Sequence, residues 1–514
     1  MSAPDRSERV RLLILLLLAG LLLARLTAMA ALPLMDTTEA RYGEIGRKMA
    51  EIGDGVTPWF DDGVPFWGKP PLSFWLTAAS FRLFGVSEFA ARLPHLLCTL
   101  LAGALVWQLG RQRSPREGLL ALSLLAGSLL FFVGAAGVMT DPALVLATTL
   151  AMHGFWLALH HNNQTARRRQ GWQVFVGLAV GLLAKGPIAA VFVLVPLLLW
   201  TVLCGRAMAV WRAIPWVRGG ALAALLVVPW YLLAEQRTPG FLRYFLLGEH
   251  WRRFVTPGWG GDLYGSAHRH APGSIWLYAL GATLPWLPLL GLLAMGLWRR
   301  SKTPGSDDDN ADAAAWQRFL LLWALWPLIF FTAARNIVWS YVLPSLPAAA
   351  LLAAGWIERR TAPGRPDAWV AGGLAVTLLT SIAVLTVGLR TGRFDRATAR
   401  PVVRAYELQR APGEPLVFMG HRPSSAAFYG QGQVGQVDNA QALAHRLGHG
   451  SGFVAVPAAA GKESLRLVFA DGDVLRVGQF GAYELLHVWP DGAPEAKPPG
   501  NARLRLPAGK GAAP

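Results

Sequence analysis

Up to about residue 390 the chain alternates long apolar runs with short polar connections. A helix needs ~20 predominantly apolar residues to cross a hydrocarbon core, and slightly fewer where it is buried among other helices. By that measure the pattern predicts about eleven spans. They fall at 12–31, 92–109, 118–138, 142–159, 172–184, 188–204, 219–235, 274–298, 319–333, 341–357 and 369–389. The first is too long for the apolar core of a signal peptide. The Pro33-Leu34-Met35-Asp36 after it lacks a small-residue cleavage pattern, so it reads as a retained span.

Two polar stretches interrupt the alternation. Residues 33–91 carry charge, Trp and Pro together with amphipathic segments at Ala40–Ile52 and Leu72–Phe84. Residues 236–273 mix aromatic with basic side chains. A loop as long as the first, with its own helical periodicity, usually serves function. Beyond Arg390 the pattern changes. Pro415–Met419 and Gly452–Val456 read as strands and Asn439–Leu447 as a helix, which predicts a small α/β domain over 390–489. From Pro490 the chain is rich in Pro, Gly, Ala and Lys and reads as a disordered tail over 490–514. No internal repeat is evident.

Composition agrees with lipid as solvent. The 514 residues are 53% hydrophobic and only 15% charged, where a soluble chain carries about a quarter. The net charge of +17 does not point to nucleic acid, because the basic residues sit in short loops rather than in aromatic-interleaved patches. With the N-terminus inside, every inward loop holds a basic cluster, such as Arg111, Arg113 and Arg116, Arg167–Arg169, or Arg359, Arg360 and Arg365. This predicts a multi-pass inner-membrane protein with a cytoplasmic N-terminus, a long periplasmic first loop and a periplasmic C-terminal domain. Cys98 and Cys204 fall at different depths and read as packing residues rather than a disulfide.

That topology gathers ionisable groups at the outer interface. They are Asp36, Glu39, Arg41 and Tyr42 after the first span, then Lys69 in Gly68-Lys69-Pro70-Pro71. Asp141 and Lys185 lie in short outer turns, Glu249, His250 and Arg253 in the second long loop, and Arg335 and Tyr341 beside a later turn. Carboxylates and cations at one level suit an anionic lipid headgroup and a reacting hydroxyl.

The ordered set resembles the polyprenyl-phosphate-dependent glycosyltransferases of the GT-C type. The similarity is strongest to the ArnT-like, lipid A aminoarabinose transferase branch, with protein O-mannosyltransferases more distant. Its most specific piece is Glu39-Ala40-Arg41-Tyr42 followed by Gly68-Lys69-Pro70-Pro71-Leu72 and Phe84-Gly85. Thr140-Asp141-Pro142, Lys185-Gly186, Glu249-His250, Arg253-Phe254 and Leu284-Pro285-Trp286 support it. The resemblance implies a polytopic helical membrane protein, a polyprenyl-phosphate sugar donor, and lipid A or another envelope molecule as acceptor. Two departures stand out. Relatives carry Asp then Glu before the Arg-Tyr pair, but here Thr38 takes the first place, which leaves Glu39 or Asp36 as the acid. Gly68 stands where relatives often have Glu, so a metal site described near there does not carry over.

The donor's leaving group needs charge stabilisation more than protonation, which assigns Arg41, Lys69, Lys185, Arg253 and Arg335 to the phosphate. Tyr42, Glu249, His250 and Tyr341 join them in substrate binding, with Glu39, Asp36 and Asp141 as the catalytic candidates. Each has a plainer reading. The cations could snorkel to the interface, Asp36 could cap the helix that follows it, and Asp141 could cap the helix opened by Pro142. No cofactor is firmly implied. His250, His268 and His270 could hold a divalent metal, but their spacing is not a zinc pattern and suits hydrogen-bonded structure better. Two alternatives stay open: transfer to Ser/Thr of secreted proteins, and a lipid-linked sugar transporter or flippase.

Overall fold

The computed structural model describes residues 6–489 apart from 162, 257, 266–268, 290, 292–294, 296–310, 363, 461–464, 466–467 and 470–472. The tail from Pro490 and His268 lie outside the described residues. The chain divides into two compact units, Met1–Ala30 with Lys48–Ile382, and Ala31–Arg47 with Ala383–Pro514. The sequence pattern starts the C-terminal domain at 390. The second unit starts slightly earlier and also takes in Ala31–Arg47, because that stretch sends its hydrogen bonds there. Asp36 N donates to Ala397 O at 2.9 Å, and Leu34 N to the Tyr429 hydroxyl at 2.8 Å.

In chain order the helices are α1 (Arg6–Ala31), α2 (Thr38–Ile52), α3 (Leu72–Phe84), α4 (Glu88–Arg111), α5 (Pro115–Gly127), α6 (Leu129–Gly134), α7 (Asp141–His160), α8 (Gln164–Lys185), α9 (Ile188–Leu203), α10 (Ala207–Ala213) and α11 (Trp216–Arg237). A short ribbon, β1 (Trp59–Asp61) with β2 (Val64–Pro65), separates α2 from α3. A π-helix at Arg243–Arg252 follows α11, and later helices occupy Ser274–Ala282, Ala311–Phe331, Leu346–Arg360 and Arg365–Arg390. Local chemistry sets several starts. The Ser87, Ser114 and Asn163 side chains accept from backbone N–H groups of the first turns of α4, α5 and α8.

Among the described residues, seven helices are long and apolar enough to cross a membrane. The expected spans outside that set have physical explanations. The run 118–138 is broken at Ser128, where Leu129 N donates to Leu284 O at 2.8 Å and a new helix begins. The run 172–184 is the apolar end of α8, whose start carries Arg167–Arg169. The run 188–204 forms α9, which is apolar but shorter. The run 274–298 is only partly within the described residues.

In the first unit α4, α5, α7 and α8 pack together, and the buried core continues into α9, Ala311–Phe331 and Leu346–Arg360. Small residues let α7 and α8 meet backbone to backbone. A Cβ on Gly177 would lie 2.5 Å from Ala147 O, and one on Gly154 would lie 2.4 Å from Gln173 Cβ. Between these helices His153 contacts Gln173 at 2.8 Å and Gln108 of α4 at 3.1 Å, which fixes their register with polar contacts in an apolar setting. At the start of α5, Arg116 binds Asp367 at 2.8 Å, Glu358 at 3.1 Å and the Thr361 carbonyl at 2.8 Å, fastening α5 to two later helices.

In the second unit, β3 (Leu416–Met419), β4 (Gly435–Val437), β5 (Gly452–Pro457), β6 (Val474–Phe480) and β7 (Tyr483–Val488) form one sheet in the order β4-β3-β5-β7-β6. β3 pairs in parallel with β4 and β5, while β5–β7 and β6–β7 are antiparallel. The helices Arg400–Glu407, Ser424–Tyr429 and Ala440–Leu447 accompany it. Val417, Val454 and Leu486 face one small core, and Phe418, Phe453 and Leu485 face the other, as period-two alternation requires.

The α7–α8 contact yields a test. Gly177→Ala should destabilise the protein by about 1–3 kcal/mol through overpacking, read as a lower thermal midpoint in detergent. Ala at the open Gly220 position, where nothing lies within 4 Å, should leave the midpoint nearly unchanged.

Candidate active site

Lys69 sits in the turn that feeds α3, where Pro70 and Pro71 restrict the backbone and Pro71 occupies the N-cap. Gly68 is required by a close approach, since a Cβ there would come within 2.9 Å of the Phe66 ring. Phe66 is itself held by Phe74 and Tyr264. The Tyr264 hydroxyl donates to Pro65 O at 2.7 Å and accepts from Trp67 N at 2.9 Å, pinning the strand just before Lys69.

From this turn the Lys69 Nζ donates to Glu249 Oε1 at 2.5 Å and to Gly68 O at 2.6 Å. Arg253 Nη1 donates to the same Glu249 oxygen at 2.7 Å, and its other arm lies 3.5 Å from Asp262. The Glu249 side chain is only 6% exposed. Burial pushes its carboxyl upward, but the Lys69 and Arg253 charges outweigh burial and hold it below the ordinary carboxylate range. Two cations therefore converge on one acid, with Asp262 as a second carboxylate beside Arg253.

The π-helix connects this group to a second one. His250 Nδ1 lies 2.8 Å from Phe245 O, and Nε2 lies 3.2 Å from Lys185 O at the end of α8. Burial lowers the His250 pKa below its usual value, so the ring is neutral at pH 7. Gly186, at φ +81°, closes α8 here, and a side chain there would strike Phe245 at 2.6 Å. Lys185 Nζ donates to Asp141 Oδ1 at 2.7 Å and lies 4.5 Å from the centre of the Tyr341 ring. Asp141 heads α7 and Lys185 ends α8, so the tight packing of those helices delivers both to one place. Tyr341 stacks on Phe331 at 4.6 Å.

Thus Lys69, Glu249, His250, Arg253, Asp141, Lys185 and Tyr341 form one connected set in the first unit. Arg335 has an exposed side chain, and its carbonyl accepts from His270 N at 2.8 Å. Asp36, Glu39, Arg41 and Tyr42 belong to the second unit. There Ser425 donates to Asp36 from its backbone N at 2.9 Å and from its hydroxyl, and burial, opposed by these bonds, raises the Asp36 pKa. Glu39 is half-buried in the first turn of α2, with Arg41 half-buried and Tyr42 buried just beyond it. Among the described residues no three His, Cys, Asp or Glu side chains gather as metal ligands would.

The fold has a close solved counterpart. ArnT from Cupriavidus metallidurans, solved bound to undecaprenyl phosphate, superposes with a TM-score of 0.73 over 92% of this chain and 97% of its own, at 19% identity. The chain is ArnT-like in fold. The apo form of the Cupriavidus metallidurans protein matches at a TM-score of 0.72. Residues 12–245 of the ArnT-like chain match the family described as dolichyl-phosphate-mannose-protein mannosyltransferase. The chain is 33% identical over 340 residues to an undecaprenyl phosphate-alpha-4-amino-4-deoxy-L-arabinose arabinosyl transferase of Edwardsiella ictaluri, covering 64% of this chain and 56% of that protein. For the Aeromonas salmonicida protein of that name the figures are 32% over 381 residues, 69% and 62%. The ArnT-like chain thus spans less than two thirds of the length of either relative.

Sequence reading missed Asp262 and Tyr264, which support Arg253 and the Lys69 turn in the ArnT-like chain. Their signal was faint: a lone Asp-Leu-Tyr in a loop has no periodicity to mark it.

The neutral, buried His250 makes a pH prediction. Its folded pKa is depressed, so below about 6.5 the unfolded chain binds a proton that the folded chain refuses. Stability should fall as pH drops from 6.5 towards 5, with this residue contributing at most about 1.4 kcal/mol per pH unit. Thermal midpoints across that range should show a shallower slope for His250→Asn; an unchanged slope would contradict the assignment.

Proposed function

We propose that the ArnT-like chain transfers a sugar, 4-amino-4-deoxy-L-arabinose or a close analogue, from undecaprenyl phosphate to lipid A at the outer face of the inner membrane. The carrying observation is the convergence of Lys69 and Arg253 on buried Glu249, beside Lys185 on Asp141. The names of the relatives and of the solved ArnT complex supply the donor class. The basic inward loops support a cytoplasmic N-terminus and a periplasmic C-terminal domain.

In this reading the acceptor oxygen attacks the anomeric carbon from the face opposite the carrier. The bond from that carbon to the phosphate oxygen breaks, its electron pair leaves with undecaprenyl phosphate, and the configuration inverts. Lys69 and Arg253 neutralise the charge that grows on the phosphate in a water-poor setting, where fixed cations act most strongly. Lys185, oriented by Asp141 and the Tyr341 face, adds a third positive centre. Arg41 and Tyr42, neighbours of Glu39 in the motif, take part in binding, and Arg335 remains an outlying cation for the headgroup. Glu39 orients the acceptor or accepts its proton, and for a phosphate acceptor it stabilises the positive charge developing on the sugar.

A second reading, transfer to Ser or Thr of secreted proteins, draws on the mannosyltransferase description of the matched family. Mass spectra of lipid A and of periplasmic glycoproteins from cells with and without the protein separate the two, because the modified acceptor gains the mass of one sugar less one water.

In vesicles supplied with lipid-linked sugar and lipid A, Lys69→Ala and Arg253→Ala should each cut transfer at least about a hundredfold. Glu39→Ala should do likewise while expression and insertion persist. Full activity of both Lys69→Ala and Glu39→Ala would rule out these two assignments.

A further inference from the structure

In the second unit the loop segment Ala31–Arg47 is built onto the C-terminal sheet domain at several points. Ser425 is completely buried and stands at the centre of them. Its hydroxyl donates to Asp36 Oδ2 and accepts from Ala399 N at 2.8 Å, and its own N–H donates to Asp36 Oδ1 at 2.9 Å. Asp36 N donates to Ala397 O at 2.9 Å, so both backbone and side chain of Asp36 are engaged. Two residues earlier, Leu34 N donates to the Tyr429 hydroxyl at 2.8 Å. A Cβ on Gly43 would meet Leu34 at 2.7 Å and the Phe428 ring at 3.5 Å, so α2 itself lies close against the same support. Further along α2, Arg47 pairs with Glu44 at 2.7 Å, and a Cβ on Gly432 would come within 2.8 Å of the Arg47 guanidinium.

We infer that Asp36 is a positioning residue: with Ser425 it forms a latch by which the C-terminal domain fixes the first turn of α2 and hence Glu39. The inference rests on the reading of Glu39 as the acid. It divides the two acids left open by the sequence. Both Asp36 oxygens accept hydrogen bonds from Ser425 and its backbone N–H is committed to Ala397, whereas Glu39 follows in the helical turn that this anchorage aims. A carboxylate held by two donors of one buried serine is a poor proton acceptor for a substrate and a good fixed point for a helix start. The C-terminal domain then acts on turnover through geometry, by fixing where α2 begins.

The test uses the full-length protein in vesicles with lipid-linked sugar, each rate expressed per folded protein recovered by size exclusion. Ser425→Ala and Asp36→Ala should each lower kcat at least about tenfold while donor KM stays within about twofold. The double variant should be no worse than either single, because the two side chains act as one contact. Asp36→Asn, which keeps an oxygen for the Ser425 N–H, should lose much less than Asp36→Ala, and Ser425→Thr should recover part of the rate lost in Ser425→Ala. If Asp36→Asn abolished turnover as completely as Asp36→Ala, Asp36 would be doing the chemistry and the latch would be refuted. Wild-type kcat in Ser425→Ala, or additive losses in the double variant, would refute it as well. Wild-type transfer by Glu39→Ala would remove the acid assignment instead, while the two-residue cycle still reports whether Asp36 and Ser425 act together.

Discussion

A carboxylate buried like Glu249 can remain charged only if cations come to it, and that requirement organises the first unit. Removing either Lys69 or Arg253 leaves the acid with one partner, and removing the acid leaves two cations facing one another. The surrounding chain is arranged to prevent both outcomes. Proline restricts the Lys69 turn, Tyr264 holds the strand before it, and Asp262 steadies the far arm of Arg253. Buried ion pairs contribute little net stability, because desolvation consumes most of the Coulombic gain. In the proposed transfer their worth is that the cationic groups are already in place and cannot reorient.

The second ion pair depends on packing rather than on a loop. Asp141 and Lys185 are far apart in sequence but sit at adjoining ends of α7 and α8, and glycine at the crossing allows those helices to approach until the pair closes at 2.7 Å. The polar contacts of His153 hold the same helices in register further along. The geometry of this ion pair is thus inherited from helix packing further along α7 and α8.

Much of this was legible in the sequence, and the reasons differ by element. Long apolar runs announce spans because lipid offers no partner to an unpaired backbone group, so Ser7–Ala31 and Pro366–Arg390 stand out by hydropathy alone. The break at Ser128 did not stand out, since its cause is a hydrogen bond to Leu284, distant in sequence. The amphipathic segments of the first long loop became α2 and α3, and β3 and β5 lie where the apolar runs of the C-terminal domain placed them. The short β4 has too few residues to show a period. Residue types in ordered motifs singled out Lys69, Lys185, Glu249 and Arg253 as candidates, yet which cation would meet which acid depended on helix packing that no local pattern encodes. The attachment of Ala31–Arg47 to the C-terminal unit was invisible for the same reason, because it joins positions hundreds of residues apart.

The π-helix at Arg243–Arg252 carries a consequence for how this segment can vary. It presents Phe245, Glu249 and His250 through a winding wider than the α-helical one, and each α-helical residue turns the chain by about 100°. Loss of a single residue here would let the backbone relax to the α form and swing Glu249 away from Lys69, even with every side chain still present. The segment is therefore intolerant to changes of length in a way that composition does not reveal: its residue count, as much as its residue types, brings Glu249 to Lys69.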